Sequence, residues 1–203
     1  MASKGTHVLG TDGTDYRHRQ RVVTIHSASA DSKRYLKLTF YPHFFLYVLI
    51  ILKLSEDILD RADIFILELQ ELRIPKPDLW EWTYGLSFLG TAFGARAMKT
   101  NSAKSINMYQ IIIWLFALVP ILLAQFQYAP DFIKFINERD VEQLTYTWRS
   151  LPLAVIFEAF AMIALQVHLA QAYFAYKLWK IWSSYGVSRA ANSASVQTNK
   201  KTN

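Results

Sequence analysis

The chain has 203 residues, a formal net charge of +6 and no cysteine, and 52% of it is hydrophobic and 15% aromatic. Without cysteine there is no disulfide framework, no thiolate metal site and no thiol nucleophile. The apolar residues gather in blocks with the charges between them. The basic residues form no single patch and the aromatics form no stacking platform, which argues against nucleic acid as a partner.

Residues 1–35 are polar and carry Lys4, Arg17, Arg19, Arg21, Lys33 and Arg34, with no apolar core before Leu36. That pattern gives no cleavable signal peptide, so the first span is expected to act as an uncleaved signal anchor. A bilayer core of ~30 Å needs ~20 apolar residues in a helix. Four stretches come close: residues 36–54, 79–97, 106–126 and 151–179. The second is the weakest, diluted by Gly85, Ser87, Gly90, Thr91 and Gly94. The third is the clearest, because residues 111–124 carry no charge. A soluble helical domain is the alternative, since no block is a perfect apolar 20-mer. Against it, the third and fourth blocks leave no polar stripe wide enough for a water-facing side. The expected fold class is an all-α membrane protein with four transmembrane helices.

Charge orients it. Residues 1–37 hold seven basic side chains against three acidic, and residues 53–78 hold four against seven. Residues 96–105 hold three basic and no acidic, and residues 127–150 three against four. The tail from Lys177 holds five basic and no acidic. Lys and Arg favour the cytosolic side of short loops, so the alternation predicts both termini in the cytosol. No Asn-x-Ser/Thr sequon offers an independent check. Trp80, Trp82, Tyr84, Tyr109, Trp148, Tyr173, Tyr176, Trp179 and Trp182 lie near span ends and read as interfacial belts.

Between the first two spans, Ile58, Ala62, Phe65, Leu69 and Leu72 recur at helical spacing, and Pro75 and Pro77 stop the pattern. This predicts a lumenal amphipathic helix, packed on its own bundle or in the interface; a self-pairing or partner-binding helix is the alternative. In the second span Gly90 and Gly94 are four apart, a spacing that lets two helices approach closely within the bundle or between copies. Pro120 and Pro42 are expected to kink the third and first spans. Glu81, between two tryptophans, reads as an interfacial charge.

Polar groups within spans are functional candidates. Glu158, His168 and Gln171 all fall in the fourth. Glu158 and His168 are ten residues apart, about 15 Å along a helix, and point ~80° apart, so they cannot touch. Interhelical hydrogen bonding is the plain reading of these three; a proton or substrate pathway is the sharper one. No phosphate-binding glycine loop, nucleophile elbow or metal-ligand spacing occurs, so neither a catalytic site nor a cofactor is expected. Residues 183–203 are rich in Ser, Ala, Asn and Thr and predict a disordered tail. It finishes Lys200-Lys201-Thr202-Asn203, which resembles the dilysine retrieval signal that the COPI coat reads on cytosolic tails.

Three further groups of residues carry a family resemblance. They are the run from Gly10 to Val22 (GTDGTDYRHRQRV), the segment from Leu54-Ser55 through Ile58-Leu59-Asp60-Arg61 to Asp63-Ile64-Phe65, and Gln166-Val167-His168 followed by Tyr173 and Lys177. Together they resemble the Jagunal family over residues 10–182. The resemblance implies a multi-pass protein of the endoplasmic reticulum membrane, needed for reticulum organisation and vesicle-mediated transport in the early secretory pathway. It also implies association with the COPI coat and no enzymatic activity. The expectation is therefore a non-catalytic scaffold or adaptor, with the lipid bilayer and COPI as partners. A small transporter or lipid-handling protein using the polar residues of the bundle is the alternative, and membrane shaping by the lumenal helix a third reading.

Overall fold

The computed structural model describes residues 14–138, 140 and 144–201, with side chains for residues 16, 19–138, 140 and 144–184. The first four residues of the GTDGTD run lie outside the described residues; Thr14 begins helix α1, which runs without a break to Arg61 (Thr14–Arg61). Short helix α2 (Leu67–Leu72) follows, then α3 (Leu79–Gly85), a 3-10 turn (Leu86–Phe88) and α4 (Leu89–Thr100). Helix α5 (Ala103–Ile113) passes through a π-helical turn (Trp114–Leu118) into α6 (Val119–Glu138). A two-stranded antiparallel hairpin, β1 (Thr147–Trp148) and β2 (Leu151–Pro152), leads to α7 (Leu153–Lys201).

Among the described residues three helical rods are long and apolar enough to cross a membrane: Arg19–Arg61, Ala103–Glu138 and Leu153–Ser184. The expected second span falls instead on α3, the 3-10 turn and α4, an interrupted helical path rather than one long apolar rod. Its glycine-diluted composition is the physical reason. The turn between α4 and α5 is tight: Asn101 takes the left-handed conformation (φ 52°), and the Ser102 hydroxyl accepts from the Ser105 N–H at 3.2 Å as an N-cap. The π-turn lies just ahead of Pro120, whose ring has no N–H to give and displaces the carbonyl one turn back; a widened turn accommodates both.

Three sequence expectations change. The apolar stripe from Ile58 to Leu72 is not one helix, because Asp63 adopts φ 55° and the Ile64 N–H bonds back to the Leu59 carbonyl at 2.9 Å, which ends α1. The stripe is divided between the end of α1 and α2. Tyr84, Tyr109 and Trp182 are not belt residues; all three are buried in the core. The tail placed as disordered continues the backbone helix of α7 to Lys201; it holds one glycine and no proline to stop it.

The core is a seam between α1 and α7. Ala154, Phe157, Ala161, Ala164, His168, Gln171, Ala175, Leu178 and Trp182 are buried along α7 at an unbroken 3-4 spacing, with Leu153 and Ala172 buried beside them. On α1, Ser29, Ser32, Leu36, His43, Leu46 and Ile50 follow the same spacing, with half-buried Thr39 filling the one gap. A 3.5-residue repeat keeps one face on its partner over many turns. The pairing is antiparallel: Ser29 meets Trp182, Tyr35 stacks on Phe174, Thr39 meets Gln171 and His43 meets His168. Alanine dominates the α7 side, which lets the two backbones approach closely where lipid supplies no hydrophobic drive. Helix α5 packs on α7 and α4, and α3 packs on α1 and α6.

Candidate functional site

The middle of the seam is polar. The Thr39 carbonyl can only accept, so the Gln171 amide turns its NH2 toward it (3.2 Å) and toward His43 Nδ1 (3.3 Å). The Gln171 Oε1 then faces His168 Nδ1 at 2.9 Å, and an amide oxygen only accepts, so His168 Nδ1 carries the proton. His168 Nε2 is left as an acceptor, and the Tyr84 hydroxyl donates to it at 2.8 Å. By the same reasoning His43 Nδ1 accepts, and its Nε2–H donates to the Ser87 hydroxyl at 3.1 Å. The result is a directed chain, Tyr84 to His168 to Gln171 to His43 to Ser87. The two imidazoles stand edge to face with centroids 4.7 Å apart.

Each member is fixed by its local structure. Ser87 lies in the 3-10 turn that interrupts the second helical path, and Tyr84 is one turn before it on α3. All five side chains are 0–1% exposed. Both nitrogens of both rings are used, and the chain requires both rings neutral. The arrangement therefore acts as a clasp that sets the rotation of α1, α3 and α7 about one another. Interhelical hydrogen bonds of this kind average about 0.6 kcal/mol each in a membrane, so the clasp matters more for register than for bulk stability. Among the described residues no group of three or more His, Asp or Glu is placed to hold a metal.

Of the three polar candidates on α7, the structure brings together His168 and Gln171. Glu158 is elsewhere, accepting from the Gln125 amide of α6. His43, Tyr84 and Ser87 are the members that sequence reasoning missed; the 3-4 spacing of α1 that puts Thr39 and His43 on the seam was the available signal. Gly90 packs on α5, and Gly94 packs on α1 and α5. A Cβ on Gly90 would lie 2.9 Å from Ile112 Cγ2, and one on Gly94 would lie 2.9 Å from Phe40 Cζ and 3.1 Å from Tyr109 Cδ2. The side chains of Lys200 and Lys201 lie outside the described residues.

A second polar region occupies the α2 end of the bundle. Glu81, expected at an interface, is 1% exposed and paired with Lys53 of α1. Asp78 accepts from Gln127 Nε2 (2.8 Å) and the Tyr128 hydroxyl (2.9 Å). Asp131 accepts the backbone N–H groups of Thr145 and Tyr146 at 3.0 and 2.9 Å, holding the hairpin against α6. Trp148 Nε1 donates to the Leu72 carbonyl at 3.0 Å, and Arg149 to that of Glu71, tying the hairpin to α2.

The architecture has relatives. A sequence profile described as "Jagunal, ER re-organisation during oogenesis" matches residues 1–186. The chain belongs to the Jagunal family. It is 36% identical to the protein jagunal of Drosophila pseudoobscura pseudoobscura over 198 residues, covering 93% of this chain and 98% of that one. To protein jagunal homolog 1 of Homo sapiens it is 25% identical over 183 residues, covering 90% and 94%. The family description associates it with reorganisation of the endoplasmic reticulum.

Proposed function

We propose that this chain is a non-catalytic, multi-pass protein of the endoplasmic reticulum membrane that supports reticulum organisation and vesicle-mediated transport in the early secretory pathway. The observation that carries the reading is the family match over residues 1–186. The helical path over residues 79–100 completes four spans in this account. At 22 residues it is about 33 Å long, enough for the ~30 Å hydrocarbon core. The antiparallel α1–α7 seam favours both terminal segments at one end of the bundle, and the alternation of charge makes that end cytosolic. The tail then presents Lys200 and Lys201 to the COPI coat, at low affinity per copy and higher avidity when copies cluster.

Two experiments test the proposal. Inserted glycosylation sequons should be modified at residues 62–66 and 140–145 and left unmodified near residue 101; the opposite pattern overturns the topology. A Lys200→Ser, Lys201→Ser variant, tagged at the N-terminus, should lose binding to purified coat and leave the reticulum. Full retention together with undiminished coat binding would remove the dilysine from the mechanism.

A further inference from the structure

A cavity of about 670 Å³ opens beside the Lys53–Glu81 pair, between the α2-side halves of α1 and α7. Its volume lies within the range of sites that enclose one drug-sized ligand. Leu49 on α1 and Ile156, Ala159 and Ile163 on α7 form the side walls and are themselves exposed. Leu69, Leu72 and Pro75 from the α2 segment close one end. That closure is built: the Trp148 and Arg149 bonds to the Leu72 and Glu71 carbonyls hold it in place. The lining is almost wholly apolar except at one corner, where Trp80, Glu81 and Lys53 meet.

That corner is incomplete. Glu81 Oε1 is taken by Lys53, but Glu81 Oε2 is buried with no hydrogen-bond partner, and the Trp80 indole N–H, beside the Tyr128 hydroxyl, makes no hydrogen bond of normal geometry. An acceptor and a donor left unsatisfied in neighbouring residues cost free energy unless something supplies both complements. A hydroxyl carries both complements, a proton for a carboxylate oxygen and lone pairs for an indole N–H. A phosphate would set its charge against the carboxylate. Walls of exposed Leu and Ile at the bundle surface suit an apolar body arriving sideways from a membrane.

We propose that this cavity binds one neutral membrane lipid with a hydroxyl head, its hydroxyl between Glu81 and Trp80 and its apolar body between α1 and α7. The chemistry is shared by sterols and by acylglycerols, and the experiment separates them. The site is distinct from the histidine clasp and does not depend on the coat-binding reading.

The test uses the full chain in nanodiscs with three photoactivatable probes: a sterol, a diacylglycerol and a phosphatidylcholine. One hydroxyl-headed probe should label saturably, be displaced by its unlabelled parent and map to the cavity walls; whichever does so names the source. Ala159→Trp, which fills the opening at an exposed position, should abolish that labelling while the protein stays monodisperse. Glu81→Gln should weaken displacement by about tenfold, the value of one lost charge-assisted hydrogen bond. Because Glu81→Gln also alters the pair with Lys53, Trp80→Phe serves as the second variant and should weaken it in the same direction. Labelling by phosphatidylcholine in preference to both hydroxyl probes overturns the proposal. So does labelling by all three that is unsaturable and indifferent to Ala159→Trp.

Discussion

The histidine clasp and the Glu81 corner are both polar, both buried and both built on α1, α3 and their neighbours, yet they end differently. In the clasp every ring nitrogen and both amide ends of Gln171 have a partner. At the corner one carboxylate oxygen has none, and one indole N–H makes no hydrogen bond of normal geometry. The clasp is neutral and its side chains fully enclosed, whereas the corner carries an ion pair whose lysine is a quarter exposed. A satisfied network in a bundle fixes register; an unsatisfied one marks a place where the protein alone is not the whole structure.

That contrast can be broken most forcefully at the ion pair. Lys53→Met leaves Glu81 buried without its cation and should destabilise the protein by about 3–5 kcal/mol. Adding Glu81→Leu should restore most of the loss, which unfolding titrations of the two variants in mixed micelles would read. A double variant no more stable than Lys53→Met would show that the pair is not what matters there.

The clasp should give the next largest effect. His168→Leu strands the Tyr84 hydroxyl and the Gln171 carbonyl oxygen, at about 1–3 kcal/mol for each buried orphan. Glu158→Gln, at a half-buried position outside the clasp, should stay within about 1 kcal/mol of wild type. Equal losses in the two variants, measured by the same titration, would remove the distinction between clasp and bundle periphery.

Glycine contacts sharpen the comparison on a smaller scale. Gly94→Ala pushes a methyl group against the buried Tyr109 ring and should cost about 1–3 kcal/mol by overpacking. A Cβ on Gly85 meets only Leu54 Cδ1, at 4.0 Å, so Gly85→Ala should be neutral or stabilising by up to about 1 kcal/mol. Thermal unfolding of the pair in detergent would show whether the α4–α5 contact or helix propensity dominates. Smallest of the set, Ser29→Ala removes the acceptor of the Trp182 indole N–H and should cost about 1 kcal/mol in the same assay.

The helical blocks were legible because hydropathy in long runs is a strong signal, and the clear third block became α5 and α6. The second block is less legible for the same reason: five small or polar residues weaken the pattern, and the structure shows a helix broken by a 3-10 turn. The end of α1 at Arg61 depends on one residue, Asp63, in the left-handed region, which an apolar stripe running through it conceals. His168 and Gln171 stood out as polar residues in an apolar run. Their partners did not, since His43 and Tyr84 come from elements 84 to 128 residues away along the chain. Only the shared 3-4 spacing of α1 and α7 links His43 to them in sequence, and reading it requires both helices at once; Tyr84, on α3, carries no such signal. Glu81 was misplaced because flanking tryptophans look the same at an interface as around a buried pair.

α1 and α7 lie antiparallel, with the clasp midway along their seam. The chain has no cysteine, so a single introduced pair can be read without background. Tyr35→Cys with Phe174→Cys should join rapidly through a short bis-maleimide in native membranes, because the native rings stack with centroids 5.3 Å apart. Tyr35→Cys with Ile156→Cys, more than four helical turns away along α7, should not. Rapid joining of the second pair, or failure of the first in folded protein, would contradict the seam and the clasp with it.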